Sequence, residues 1–269
     1  MLYGEQFRTA QPNPDDRLVA YGRLDEYVDV LARFNRNHVW HYVVDESNSA
    51  SPIYEKAMSY MRSMKIKNII VTYQNADHLR ILNENGFKYA IMPQTMPGIR
   101  KKQAKLHDVL LSGQLSPTIY PTRTRAWHSL ALRLPKNVLA LPSPGQDIST
   151  RYHNTIREAY YELMDRCRMG IVCKAGTKDR FVAKYIEMGA CHMLPIGDCP
   201  SYMPAEMKNS MVNIEDMSDV ESANEVMRLL NAPDELESRT QAYVRCVSNT
   251  YMSIPNMMQL INVIMGDQS

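Results

Sequence analysis

The chain has 269 residues, 45% hydrophobic and 22% charged, a length that suits two domains of ordinary size and a composition that excludes a disordered chain. Thirty-one Lys plus Arg against 29 Asp plus Glu leave a formal charge of only +2, which excludes the overall positive field of a non-specific nucleic-acid binder and leaves any anion site to be local. Five cysteines without a CxxC pair, an amino terminus without an apolar core and no run of 18 apolar residues argue against a disulfide framework, a structural zinc, a signal peptide and a membrane span, and for reduced thiols in a cytoplasmic protein.

In chain order, VWHYVV from Val39 to Val44 is a β-branched and aromatic run that predicts a strand ending at Asp45. Helical spacing follows from Ile53 to Met64, and NIIVTY from Asn68 to Tyr73 predicts a buried strand. Asp77 is placed to cap a helix through Glu84 that Gly86 ends, and YAIM from Tyr89 to Met92 predicts another short strand. Strands separated by helices of this length imply parallel βαβ units.

Two prolines, a glycine and a cluster of bases interrupt the pattern from Pro93 to Lys105, which reads as a hinge. A second alternation begins at Asp108: strand DVLLSG, a helix over about 122–134, strand NVLAL, a helix around 155–164, strand GIVCK, a helix from about Arg180, and strand MLPIG. Helical patterns from Glu221 to Leu230, Pro233 to Val247 and Ile254 to Met265 close the chain. The expectation is α/β: two Rossmann-like domains in tandem, 1–104 and 105–250, with a final helix in 251–269 packing back toward the first.

In an open parallel sheet the ligand lies beyond the carboxyl ends of the strands. The loop Ala175-Gly176-Thr177-Lys178-Asp179 is such a place: Gly176 lets backbone approach a ligand, and a helix starting near Arg180 would aim free N–H groups at an anion. Arg180, Lys184 and Glu187 fall on one helical face, Arg180 placed for a phosphate and Glu187 for the vicinal hydroxyls of a ribose. The alternative is ordinary: Lys184 and Glu187 as an exposed i, i+3 pair and Arg180 as a solvated base.

The stretch KAGTKDRFVAKYIEMGACHMLPIGD, Lys174 to Asp198, resembles the donor-binding unit of two-domain, GT-B-type nucleotide-sugar glycosyltransferases, in which two acidic residues stand with seven between them. The resemblance, strongest to small bacterial and large-DNA-virus members and to exostosin-like C-terminal domains, covers about 106–265. It implies Asp179 in the first acidic position, near the donor sugar, where the family usually has Glu; Glu187 on the donor ribose; and Lys174 and Arg180 near its diphosphate. HDVLLSGQLSPTIYPTRTRAWHSL, His107 to Leu130, resembles the first strand and helix of the same domain, and implies a turn at Ser112 and Gly113 facing the ligand and Arg123 as a phosphate contact.

The resemblance further implies sugar transfer from a nucleoside diphosphate to a hydroxyl of a glycan or glycoconjugate, with helix ends and basic side chains in place of a metal. No DxD triplet is present to hold one, and no cofactor or nucleic-acid partner is expected. If the reaction inverts the anomeric centre, Asp45 and Glu46, just after the VWHYVV strand, are the candidates for the base; a solvated pair of strand-end acids is the plain alternative. His41 reads as a core histidine, and Arg100 to Lys102 as a solvated basic run. Cys191 and His192, adjacent on an expected strand, should point to opposite faces and not share a zinc. The other functions considered are a nucleotide-sugar epimerase and a non-catalytic nucleotide- or glycan-binding module.

Overall fold

The computed structural model describes residues 13, 16–21, 31–43, 52–72, 76–134, 138–142, 150–174, 179 and 181–266. The chain divides into two compact units, one of Met1–Pro93 with Ile254–Ser269, the other of Gln94–Ser253.

The first unit holds four strands, β1 (Leu18–Tyr21), β2 (Val39–Val43), β3 (Asn68–Val71) and β4 (Lys88–Ile91), all parallel and in sequential order. Helix α1 (Pro52–Ser63) connects β2 to β3, and α2 (Ala76–Glu84) connects β3 to β4. Because side chains alternate along a strand, Ile69 and Val71 face a core with Met58, Met61 and Leu82. Trp40, Ile70 and Ala90 face the other way, against Leu260. A sheet covered on both faces reads as the continuous apolar run seen at NIIV. Asp77, expected as a helix cap, lies inside the first turn of α2.

The second unit holds β5 (His107–Gly113), α3 (Pro121–Arg133), β6 (Val138–Pro142), α4 (Thr150–Asp165), β7 (Cys167–Val172), α5 (Ala183–Ala190), β8 (Leu194–Gly197), α6 (Ala205–Ser210), β9 (Val212–Asn213), α7 (Asp219–Leu230) and α8 (Pro233–Thr250). Its five strands are parallel in the order β6-β5-β7-β8-β9. The chain moves outward from β5 to β6 and then resumes on the other side at β7. The switch point of this doubly wound sheet therefore lies between β5 and β7, and a ligand site is expected beyond their carboxyl ends. Helix α9 (Ser253–Met265) closes the described chain.

Local signals account for several boundaries. Pro121 and Pro233 occupy first-turn positions of α3 and α8, and α7 opens with a capping box in which Ser218 and Glu221 satisfy each other's backbone N–H groups. Gly189 lets α5 lie against α8, since a Cβ there would sit 2.6 Å from Val247 Cγ2.

Three expectations are corrected. The helix placed from Arg180 begins at Ala183, with Val182 extended at its N-cap. Cys191 and His192 lie in the turn after α5 and not on a strand: Met193 N–H bonds back to the Met188 carbonyl, His192 takes a left-handed φ of 53°, and its Nε2 lies 2.8 Å from the Arg100 carbonyl oxygen. The basic run after Pro93 is not simply solvated. Arg100 bonds Asp165 and Glu158, Lys102 pairs with Glu237, and Lys105 donates to the carbonyls of Asp165 and Cys191.

Candidate functional site

Strand β5 ends in Ser112 and Gly113. Gly113 has a φ of +108°, which disfavours a side chain, and the space a Cβ would need is taken: it would stand 2.9 Å from Arg123 Nη1 and 3.2 Å from Lys184 Nζ. Two cations from different helices, Arg123 on α3 and Lys184 on α5, thus converge on one turn at the switch point.

Neither cation is ion-paired within the described residues. Arg123 is buried, lies 4.3 Å from the centre of the Tyr120 ring, and gives one long hydrogen bond from Nη1 to the Gln114 carbonyl at 3.3 Å. Its buried Nε has no partner among the described residues. Lys184 donates from Nζ to Ser112 Oγ at 3.1 Å and to the Ser112 carbonyl at 3.3 Å, with the Tyr160 ring centre 5.6 Å away. Burial, and next the Arg123 guanidinium, push the Lys184 ammonium down to about 8. Ser112 Oγ is also 2.7 Å from Tyr160 Oη, whose phenol burial raises to about 12. Unpaired donors gathered in a sheltered place are what an anion requires.

Glu187 stands one helical turn beyond Lys184 on α5 and accepts the Tyr161 hydroxyl at 3.0 Å on Oε1. Its other oxygen has no partner among the described residues.

The remaining expected residues are placed differently. Lys174 pairs through Nζ with Glu215, while its backbone N–H donates to Asp198 Oδ1 at 2.7 Å. Asp198 is buried and also lies beside the Tyr185 hydroxyl, which donates to its carbonyl at 2.7 Å. Burial raises the Asp198 carboxyl, and the Lys174 N–H and Thr122 hydroxyl oppose that rise. Asp179 accepts the Ser201 N–H at 2.8 Å and the Ser201 hydroxyl, so both its oxygens are spent on the loop after β8. Asp45, Glu46, Gly176 and Arg180 lie outside the described residues. The structure therefore brings Gly113 and Arg123 together with Glu187 nearby, and sets Lys174 and Asp179 into contacts with the protein's own groups.

Lys184 is the residue whose place the sequence reading missed. Its i, i+3 relation to Glu187 signals a surface pair; a bond to Ser112 depends on β5 and β7 being neighbours, which local spacing does not carry.

Among the described residues no group of three or more His, Cys, Asp or Glu is placed to hold a metal, and no helix is long and apolar enough to cross a membrane.

No protein-family model and no curated protein matches this sequence. Solved structures match it in fold. They include the GtfA/B complex (13% identity, 97% of this chain and 59% of that one, TM-score 0.57). A second is HepE from Anabaena in complex with UDP-glucose (12%, 92% and 78%, 0.57). A third is an alpha-glucosyltransferase in complex with UDP-glucose and DNA containing an abasic site (10%, 90% and 76%, 0.62). The chain thus spans 59% of the length of the GtfA/B component that it matches. Two units on parallel sheets, matched over 90% or more of the chain, define a GT-B fold.

Proposed function

We propose that the protein is a nucleotide-sugar glycosyltransferase that binds its donor at the carboxyl ends of β5 and β7 and moves the sugar to a hydroxyl of a glycan or glycoconjugate. The observation that carries this reading is the convergence of Arg123 and Lys184 on Gly113, at the switch point, with no carboxylate among the described residues bonded to either. A diphosphate placed there receives the unpaired Arg123 Nε–H and an ammonium N–H, and meets backbone where a side chain would block it.

Glu187 supports the rest of the donor. Three residues along a helix rise about 4.5 Å, which sets its carboxylate beyond the diphosphate by the length of a sugar–phosphate link, with one oxygen open to a ribose diol. That two of the structures alike in fold hold UDP-glucose agrees with this class of donor. Arg123 and Lys184 supply the positive charge that stabilises a departing diphosphate, so transfer should not depend on a divalent metal. Gly176 and Arg180, between β7 and α5 in sequence, remain part of the proposed donor contacts. Asp179, bonded to Ser201, instead fixes the loop after β8. Asp45 and Glu46 are the proposed bases for an inverting reaction. A cytoplasmic site of action fits the reduced thiols.

The test is a thermal-shift panel of UDP, GDP, dTDP, CMP and their common sugars, with and without Mg²⁺, followed by donor turnover with oligosaccharide, glycoconjugate and DNA acceptors. A metal-independent shift for one nucleotide, lost in Glu187→Ala, with sugar transfer to an acceptor, is expected. Isomerised donor would instead show an epimerase, and binding without turnover a non-catalytic module. No shift for any nucleotide would overturn the reading.

A further inference from the structure

The hydrogen bonds around Lys184 leave donors unmatched, and the inference drawn from them rests on the donor site proposed above. An ammonium donates three hydrogens and accepts none. Two of them meet Ser112, one at Oγ and one at the carbonyl. Ser112 Oγ is also bonded to the Tyr160 hydroxyl. That bond uses one of the two hydroxyl hydrogens, so the charged trio has one hydroxyl hydrogen and one ammonium hydrogen without an acceptor among the described residues. An anion in the site would take them. A neutral amine behaves otherwise: its lone pair accepts the Ser112 hydrogen while Tyr160 donates to Ser112, and both hydroxyl hydrogens are then satisfied with no anion present.

We propose that Ser112 and Tyr160 are positioning residues that make Lys184 a proton-dependent ligand for the donor diphosphate, so that the nucleotide binds the ammonium form and takes up a proton where Lys184 is neutral in the free protein.

The charges around Lys184 agree with this. Arg123 from α3 repels the ammonium, Glu187 on α5 favours it, the Cys173 thiol lies just after β7, and Tyr160 from α4 turns its ring face toward Nζ. Cys173 is itself buried, with its thiol pushed up to about 11, so it stays neutral through the pH range where Lys184 titrates. Glu187 accepts the Tyr161 hydroxyl on Oε1. The titration that governs the site in mildly alkaline solution is that of Lys184, with an ammonium at about 8 when no ligand is present. A diphosphate beside it favours the charged form and raises that value, which is the same coupling seen from the ligand's side.

The experiment is calorimetric titration of UDP, GDP and dTDP into the full chain between pH 7 and 9.5, in two buffers of different ionisation enthalpy, with the parent, Lys184→Arg and Ser112→Ala. For the parent we expect affinity about tenfold weaker at pH 9 than at pH 7, because only the charged fraction binds, and uptake of roughly half a proton per nucleotide at pH 8. Lys184→Arg, permanently charged, should bind with no fall across this range and no proton uptake. Ser112→Ala, which removes an acceptor for the ammonium, should move the midpoint of the fall to lower pH, a shift that a merely structural role for Ser112 would not produce. Binding that is flat with pH in the parent, or a fall that persists unchanged in Lys184→Arg, would overturn the proton coupling and leave the donor site standing. Absence of binding by all three nucleotides at every pH would overturn both.

Discussion

Arg123 and Arg125 leave helix α3 two residues apart and meet opposite surroundings. Arg125 is consumed by its own chain: Nη2 donates to the Ile214 carbonyl at 2.7 Å, Nη1 to the Met217 carbonyl, and Asp219 lies at salt-bridge distance. Arg123 turns inward to Gly113, and its Nε has no partner among the described residues. The same contrast holds between Lys174, paired with Glu215, and Lys184, which among the described residues bonds only the oxygens of Ser112. Residue type and helix position do not separate a cation that holds the fold from one kept for a ligand. A donor left without an acceptor among the described residues does.

Substitutions that break or sharpen this contrast should have graded effects. Gly113→Val, a β-branched side chain at positive φ placed against two cations, should abolish nucleotide binding in a thermal-shift assay and lower stability by at least ~1–2 kcal/mol through backbone strain. Arg123→Met should weaken nucleoside diphosphate binding about 10- to 100-fold by calorimetry, the loss of one or two charged hydrogen bonds, with little change in Tm. Arg125→Met should do the reverse: a loss of roughly 1–3 kcal/mol in denaturant unfolding as carbonyls of the 214–217 segment lose their donor, with affinity unchanged.

Lys184→Met sharpens the comparison through pH. A lysine whose folded value lies near 8, below its ordinary 10.5, binds its proton more weakly in the folded protein than in the unfolded chain. Its presence therefore makes stability rise with pH between about 8 and 10.5. The Met variant should lose that part of the rise in unfolding titrations, while no longer binding nucleotide tightly at pH 7. Lys174→Met, which breaks a partly exposed pair, should change stability by less than ~1 kcal/mol.

Much of the second unit was legible because its central strands are covered on both faces. DVLLSG, GIVCK and MLPIG are apolar runs between loop and turn residues, and they coincide with β5, β7 and β8 to within a few residues. Strand β1 was not legible: its exposed Val19 alternates with buried Leu18 and Ala20 over four residues, too short a pattern to stand out. Strand β9, at two residues, left no pattern at all. In the site, the turn at Ser112 and Gly113 and the base Arg123 were singled out by the resemblance of His107 to Leu130 to the first strand and helix of a known domain. The bond between Lys184 and Ser112 was not legible, since it joins segments 72 residues apart. Nor could the capture of Asp179 by Ser201, or of Lys174 by Glu215, which depend on how the loops after β8 and β9 fold back.

The most direct measurement is nucleoside diphosphate affinity at pH 7 for Arg123→Met beside Lys174→Met, each of which removes one cation near the same end of the sheet. The account predicts a loss of at least about tenfold for Arg123→Met and a change within about threefold for Lys174→Met. Affinity lost in Lys174→Met and kept in Arg123→Met would contradict it, and would place the diphosphate away from Gly113.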